Sequence, residues 1–233
     1  MARQVKGLLY FFITDIRYSL TIFWTILLAS LVATVTIAYF LLASGNTEFY
    51  FSFQFAIYIY ACIAGFLMVK ESIPFVLKLG ATRKNIFISF GLFFLGLALA
   101  KAILANTIQS LIVKLVDVTG IYTINFGHLA QLLGDTWLNR VVIDTAFLFF
   151  LFSLFSVLSL LFYKHGLLGG GIVVGVLVVV LLLGLAQGWI VDFITDVYST
   201  IDLIFFYQML GVGVVIYCLS FLLLRRITTI KTK

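Results

Sequence analysis

Charge is what this sequence has least of. Asp, Glu, Lys and Arg make up 10% of its 233 residues, against 64% hydrophobic, and the mean hydropathy is +1.22. A soluble domain carries about 25% charged residues, so this chain has too little charge to cover a water-facing surface. Disorder is excluded on the same ground, because disordered segments are poor in apolar side chains. Proline is nearly missing, with Pro74 the single one. Cysteine is limited to Cys62 and Cys218, each inside an apolar run, which argues against a disulfide framework. Both are read as buried free thiols. The two histidines, His128 and His165, have no Cys or acidic cluster at ligand spacing, so no metal site is expected. No Ser-His-Asp or Cys-His set stands out either, and no catalytic residue is assigned.

What is present is long apolar runs. A spanning helix needs about 20 mostly apolar residues. Six segments qualify, at about 20–43, 51–69, 86–111, 141–163, 167–186 and 203–224. The runs are continuous rather than alternating, so helices rather than barrel strands are expected. The expected fold is an all-α polytopic membrane protein, one transmembrane domain over residues 1–233 with six spans.

The charges that exist are sorted. With the N-terminus inside, twelve of the fifteen Lys and Arg fall on inner segments: Arg3, Lys6, Arg17, Lys70, Lys78, Arg83, Lys84, Lys164, Arg225, Arg226, Lys231 and Lys233. Glu48, Asp117, Asp135, Asp192, Asp196 and Asp202 fall outside. Lys and Arg bias sets topology, so both termini are expected in the cytoplasm. The same bias accounts for a pI near 9.3 through anionic lipid rather than nucleic acid, for which no partner role is expected.

Residues 1–19 do not read as a cleavable signal, because Asp15 and Arg17 interrupt the apolar stretch. On a helical projection Val5, Leu8, Leu9, Phe12, Ile13 and Ile16 fill one face. This predicts an amphipathic helix lying on the inner leaflet, acting as an anchor or also touching a cytoplasmic partner. Among the outer segments, 126–133 is expected to form a short interfacial helix, with Asp135 capping the fourth span. Residues 187–202 alternate apolar and acidic positions, which suits a half-inserted helix.

The inner loop VKESIPFVLKLGATRKNIF carries the most information. Ser72 suits an N-cap, Pro74 a first helical turn, and Gly80 the residue past a helix end. Thr82 suits the cap of the third span. A separate helix of one to two turns is therefore expected between spans two and three. Its apolar residues either rest on lipid or fill a groove on another protein.

A two-span entry followed by a short inner helix ending in LGATRKN resembles the permease subunits of ABC-2-type ATP-binding-cassette exporters, found in bacilli and relatives. The resemblance covers the layout of the whole chain and is sharpest over 74–85. It implies a bacterial cell membrane location and a coupling helix that docks on a separate ATPase subunit. Pro74, Phe75, Leu79, Gly80, Thr82 and Arg83 would then face that ATPase. It also implies a second permease chain, identical or related, as partner. ATP and magnesium would sit on the partner ATPase, with no cofactor in this chain. The sequence agrees that hydrolysis is not encoded here. Residues 166–171 have the outer glycines of a P-loop, but Ile172 follows where Lys is required. Gly171 and Gly175 instead read as a GxxxG packing pair, with Gly96 and Ala100 as a second small pair.

Three charges fall in or beside spans: Lys101, Arg140 and Asp144. Intramembrane carboxylates are costly and usually paired. Arg140 lies one turn before Asp144, so a structural pair, or else a cargo-sensing or gating contact, is expected, with Lys101 joining it or snorkelling outward. Few charges line the spans, so apolar or amphipathic cargo such as a peptide, antibiotic or lipid fits better than ions or sugars. The competing reading is a membrane scaffold or sensor that holds a cytoplasmic regulator without transport.

Overall fold

The computed structural model describes residues 2–41, 49–120, 124–225 and 227. Glu48, Arg226, Lys231 and Lys233, four members of the charge pattern, lie outside the described residues. In chain order the elements are α1 (Ala2–Leu41), β1 (Phe49–Phe51), α2 (Phe53–Lys78), α3 (Arg83–Thr119), β2 (Ile124–Phe126), a 3-10 turn (Leu129–Leu132), α4 (Trp137–Ala186), α5 (Trp189–Thr200) and α6 (Leu203–Arg225). Among the described residues five helices, α1, α2, α3, α4 and α6, are long and apolar enough to cross a bilayer. The chain is therefore an all-helical, multi-pass membrane protein in its main features. The exception is a short parallel pair, β1 with β2, in which Phe51 stands opposite Phe126.

The expected flat N-terminal helix is not a separate element. Residues 2–41 form one helix of 40 residues. Half of its predicted apolar face is buried, and by protein: Leu8, Phe12 and Ile16 enter the core, with Phe12 stacked on Phe90 at a centroid distance of 4.3 Å, while Ile13 stays exposed. The face that suits a leaflet also suits a phenylalanine-lined bundle, and here α3 supplies those rings.

The separate coupling helix is also absent. α2 runs unbroken to Lys78 with Pro74 inside it. Ser72 is not a cap but is buried. The apolar residues Ile73 and Val76 continue the buried face of α2, which holds the helix together past the proline. Pro74 removes one ladder bond, and packing on neighbouring helices offsets that loss. The end of α2 is as expected. Gly80 adopts φ +78°, a left-handed conformation open to glycine. The Gly80 N–H donates to Leu77 O at 3.1 Å and the Ala81 N–H to Val76 O at 3.0 Å, a complete Schellman turn. Thr82 then caps α3, its hydroxyl accepting from the Asn85 N–H at 3.4 Å.

α4 contains 50 residues, interrupted at Gly166 (φ 71°, ψ −171°). A Cβ on Gly170 would come within 2.4 Å of the Phe162 ring. Residues eight apart in a straight helix are separated by about 12 Å, so the chain bends sharply here. Two limbs result, 137–165 and 167–186. α6 runs alongside the first limb in the same direction, with Phe206 clustered with Ile143 and Ala146, and Gly213 against Phe149 and Phe150. Residues 167–202 thus carry the chain back to the end where α4 began. In the second limb only Gly170 and Gly184 are buried, and α5 buries nothing.

The core is aromatic. Phe94 and Phe152 stack at 5.2 Å, and a Cβ on Gly65 would sit 3.3 Å from the Phe152 backbone. Water does not drive helix association inside a bilayer, so close approach at small residues and ring contacts do that work. The remaining expectations are adjusted in detail. Residues 129–132 form a 3-10 turn rather than a helix over 126–133. Thr136, not Asp135, caps α4. Both cysteines are free, but Cys218 faces outward and Cys62 is half-buried.

Candidate functional site

The two ends of the bundle differ in chemistry. At one end lies the α2–α3 turn. Gln4 of α1 braces it: its amide NH2 donates to Gly80 O at 3.3 Å, and its Oε1 accepts from Thr82 at 3.4 Å and from the Asn85 amide. Phe11 stacks on Phe75 at 5.0 Å. Arg83 donates to Ile227 O at 2.7 Å, which ties the turn to that residue just past α6. Pro74 is half-buried inside α2. Phe75 is 46% exposed and Leu79 68% exposed, while Lys78, Gly80, Thr82, Arg83 and Lys84 are exposed around them. The result is an apolar knob in a basic ring on a braced turn. Arg3, Lys6, Lys70, Lys164 and Arg225 sit on helix stretches that converge on this same end.

The other end, roughly 35–40 Å away along α2, holds a buried polar cluster. Asp144 of α4 lies at its centre. Its Oδ1 accepts from the Tyr58 hydroxyl at 2.5 Å; its Oδ2 accepts from the Asn106 amide at 2.6 Å and from His128 Nε2 at 3.3 Å. The imidazole tautomer follows from its other side. His128 Nδ1 accepts from the Ala130 N–H at 2.8 Å, so the ring proton sits on Nε2 and points at the carboxylate. Hydrogen-bond direction then propagates. Asn106 gives its NH2 to Asp144 and to Ala102 O, so its Oδ1 faces Gln54, whose NH2 bonds both Asn106 and Gln109. Among the described residues, Gln54 Oε1 and Gln109 Nε2 are left buried without partners.

The expected charge pairing is therefore corrected. Arg140 pairs with Asp135, not Asp144, through two hydrogen bonds. That guanidinium holds the Asp135 carboxyl below the usual carboxylate range. Asp144 meets Tyr58, Asn106 and His128 instead. Lys101 is 1% exposed and does not snorkel; its Nζ lies 3.7 Å from the Tyr60 ring centroid and 4.4 Å from that of Phe23, with no hydrogen-bond partner among the described residues. Two aromatic faces take the place of a counter-ion. Gly171 and Gly175 meet nothing within 4 Å, so the pair makes no close approach inside this chain. Gly65, Gly91 and Gly213 make such approaches instead.

A cleft of about 480 Å³ opens beside the polar cluster, lined by Gln54, Phe55, Tyr58, His128, Gln131 and Phe147 among others. The spacing of polar residues in the apolar runs points to this cluster. Gln54 and Tyr58 stand at i, i+4, and Asn106 and Gln109 at i, i+3, so each pair shares a helix face. Polar groups in spans turn toward the bundle interior. No protein-family model, no curated protein and no solved structure matches the chain.

Proposed function

We propose that this chain is the membrane-spanning permease subunit of an ATP-binding-cassette exporter, working with a separate ATPase subunit in a bacterial cell membrane. One observation carries the reading: the half-exposed Phe75 and exposed Leu79 project from a braced, basic turn. A linker resting between spans has no need of such bracing. A knob that receives force does, because a loose loop dissipates a push. α2 and α3 run without a break from this turn toward the far polar cluster, so a displacement at Leu79 is passed along two rigid rods.

In this reading the turn is cytoplasmic and both termini lie on that side, as the basic end predicts. The two limbs of α4 cross separately, giving six spans. Residues 167–186 have about 30 Å of helical length, which matches the hydrocarbon core. Their outward faces, with Gly171 and Gly175, meet a second permease chain. ATP-driven closure of the ATPases presses the knobs and re-packs the helices, moving an apolar or amphipathic cargo outward.

The test is co-purification from native membranes. Wild-type chain is expected to bring down a subunit that hydrolyses ATP, and Phe75→Asp with Leu79→Asp is expected to lose it while the chain stays folded. A retained partner in the double variant contradicts the docking claim. A partner with no nucleotide hydrolysis favours the scaffold reading.

A further inference from the structure

The cleft at the start of α2 has the makings of a ligand site that the docking reading does not use. Asp144 is a buried carboxylate whose three partners, Tyr58, Asn106 and neutral His128, are all uncharged donors. The nearby cations are engaged elsewhere: Arg140 with Asp135, and Lys101 between the rings of Phe23 and Tyr60. Among the described residues no Lys or Arg comes within ion-pairing distance of the negative charge behind the cleft wall; its one partner at that distance is His128, at 3.3 Å, whose Nδ1 accepts from the Ala130 N–H. A low-dielectric wall lets that charge act on whatever enters.

The wall itself adds two features. Gln54 lines the cleft and is 4% exposed; among the described residues its Oε1 is a buried acceptor without a partner, beside Gln109, whose Nε2 is a buried donor without one. An unsatisfied buried acceptor favours a ligand that brings a donor. Around it stand aromatic faces: Tyr58 and Phe147 lie 4.5 Å apart, and Phe55 stands 63% exposed at the same opening. Ring faces attract cations and accept apolar bodies. The volume of about 480 Å³ falls within the roughly 300–1,000 Å³ of small-molecule sites.

We propose that this cleft binds a protonated amine carried on an apolar or aromatic body. The ammonium enters the field of Asp144 beside Gln54, whose buried Oε1 turns toward the cleft to accept from it, and the body lies against Phe55, Tyr58 and Phe147. The claim concerns the chain alone and does not depend on ATPase docking.

The probe is dansylcadaverine, compared with its neutral N-acetyl derivative, on the full chain in nanodiscs of zwitterionic lipid. The amine is expected to bind saturably and at least tenfold more tightly than the acetylated compound. Phe55→Ala, at an exposed side chain that leaves the polar cluster intact, is expected to weaken amine binding several-fold. Asp144→Asn, checked for a monodisperse fold, is expected to bring the amine down to the level of the acetylated compound. Equal binding of the two compounds, partition without saturation, or an unchanged affinity in Phe55→Ala overturns the proposal. Should Asp144→Asn not fold, the wild-type pair of probes and Phe55→Ala decide the matter.

Discussion

Phe11 of α1 lies flat on Phe75 of α2, with ring centroids 5.0 Å apart and planes 21° from parallel. The contact joins the first helix to the last turn of the second, beside the exposed Leu79. An aromatic pair is worth about 0.5–1.5 kcal/mol beyond its buried area. Phe11→Ala is expected to loosen the turn without unfolding the bundle. Limited trypsin digestion at Lys78, Arg83 and Lys84 measures this: cleavage should quicken several-fold in the variant. An unchanged rate would mean that α1 does not brace the turn.

Two glycines of α3 separate packing from helix propensity. A Cβ on Gly91 would meet the Tyr217 ring at 2.8 Å, and that ring is held by its hydroxyl bond to Phe87 O and its stack on Phe87. Gly91→Ala is expected to cost about 1–3 kcal/mol through overpacking. Gly96 meets nothing within 4 Å, so Gly96→Ala is expected to be neutral or stabilising by up to about 1 kcal/mol. Thermal unfolding in detergent, followed by size exclusion, distinguishes the two. Equal melting temperatures contradict the packing.

The sharp bend in α4 depends on Gly166. Its φ of 71° with ψ of −171° belongs to a region that is essentially glycine's alone. Gly166→Ala is expected to cost about 1–3 kcal/mol there and to open the angle between the limbs. Spin labels at positions 154 and 178, with Cys62 and Cys218 replaced by Ser, read the inter-limb distance. A narrow distribution should broaden or lengthen in the variant, and an identical one counts against the bend.

The start of α4 carries an acid-sensitive contact. Arg140 lowers the Asp135 pKa in the folded state, so the pair contributes fully above the ordinary carboxylate value of about 4. That contribution is lost as pH falls through the lowered folded value. Melting temperature against pH should fall less steeply on the acid side in Asp135→Asn than in wild type. Matching acid limbs would show that the pair adds nothing.

Much of the architecture is legible from residue order. Apolar run lengths locate the five helices long and apolar enough to cross, with the fourth and fifth runs joined in α4; Gly80 and Thr82 mark the end of α2 and the start of α3, and residues 187–202 hold a helix, α5. Pro74 misleads. It reads as a helix start because a proline lacks a donor, yet the buried faces of Ile73 and Val76 keep α2 continuous. The pairing of Arg140 with Asp144 fails for a different reason. Helical spacing places the two on one face, but Asp135, just before the helix, reaches the guanidinium first. His128 is the least legible member of the cluster, because only the fold of 124–132 brings it to Asp144.

A permease driven by ATP requires the Leu79 knob to meet a nucleotide-hydrolysing subunit. A photo-crosslinking amino acid at position 79, activated in intact cells and followed by mass spectrometry, tests it most directly. A crosslink to a cytoplasmic P-loop ATPase is expected. Crosslinks to lipid alone, to a protein that hydrolyses no nucleotide, or to anything on the outer side of the membrane would contradict it.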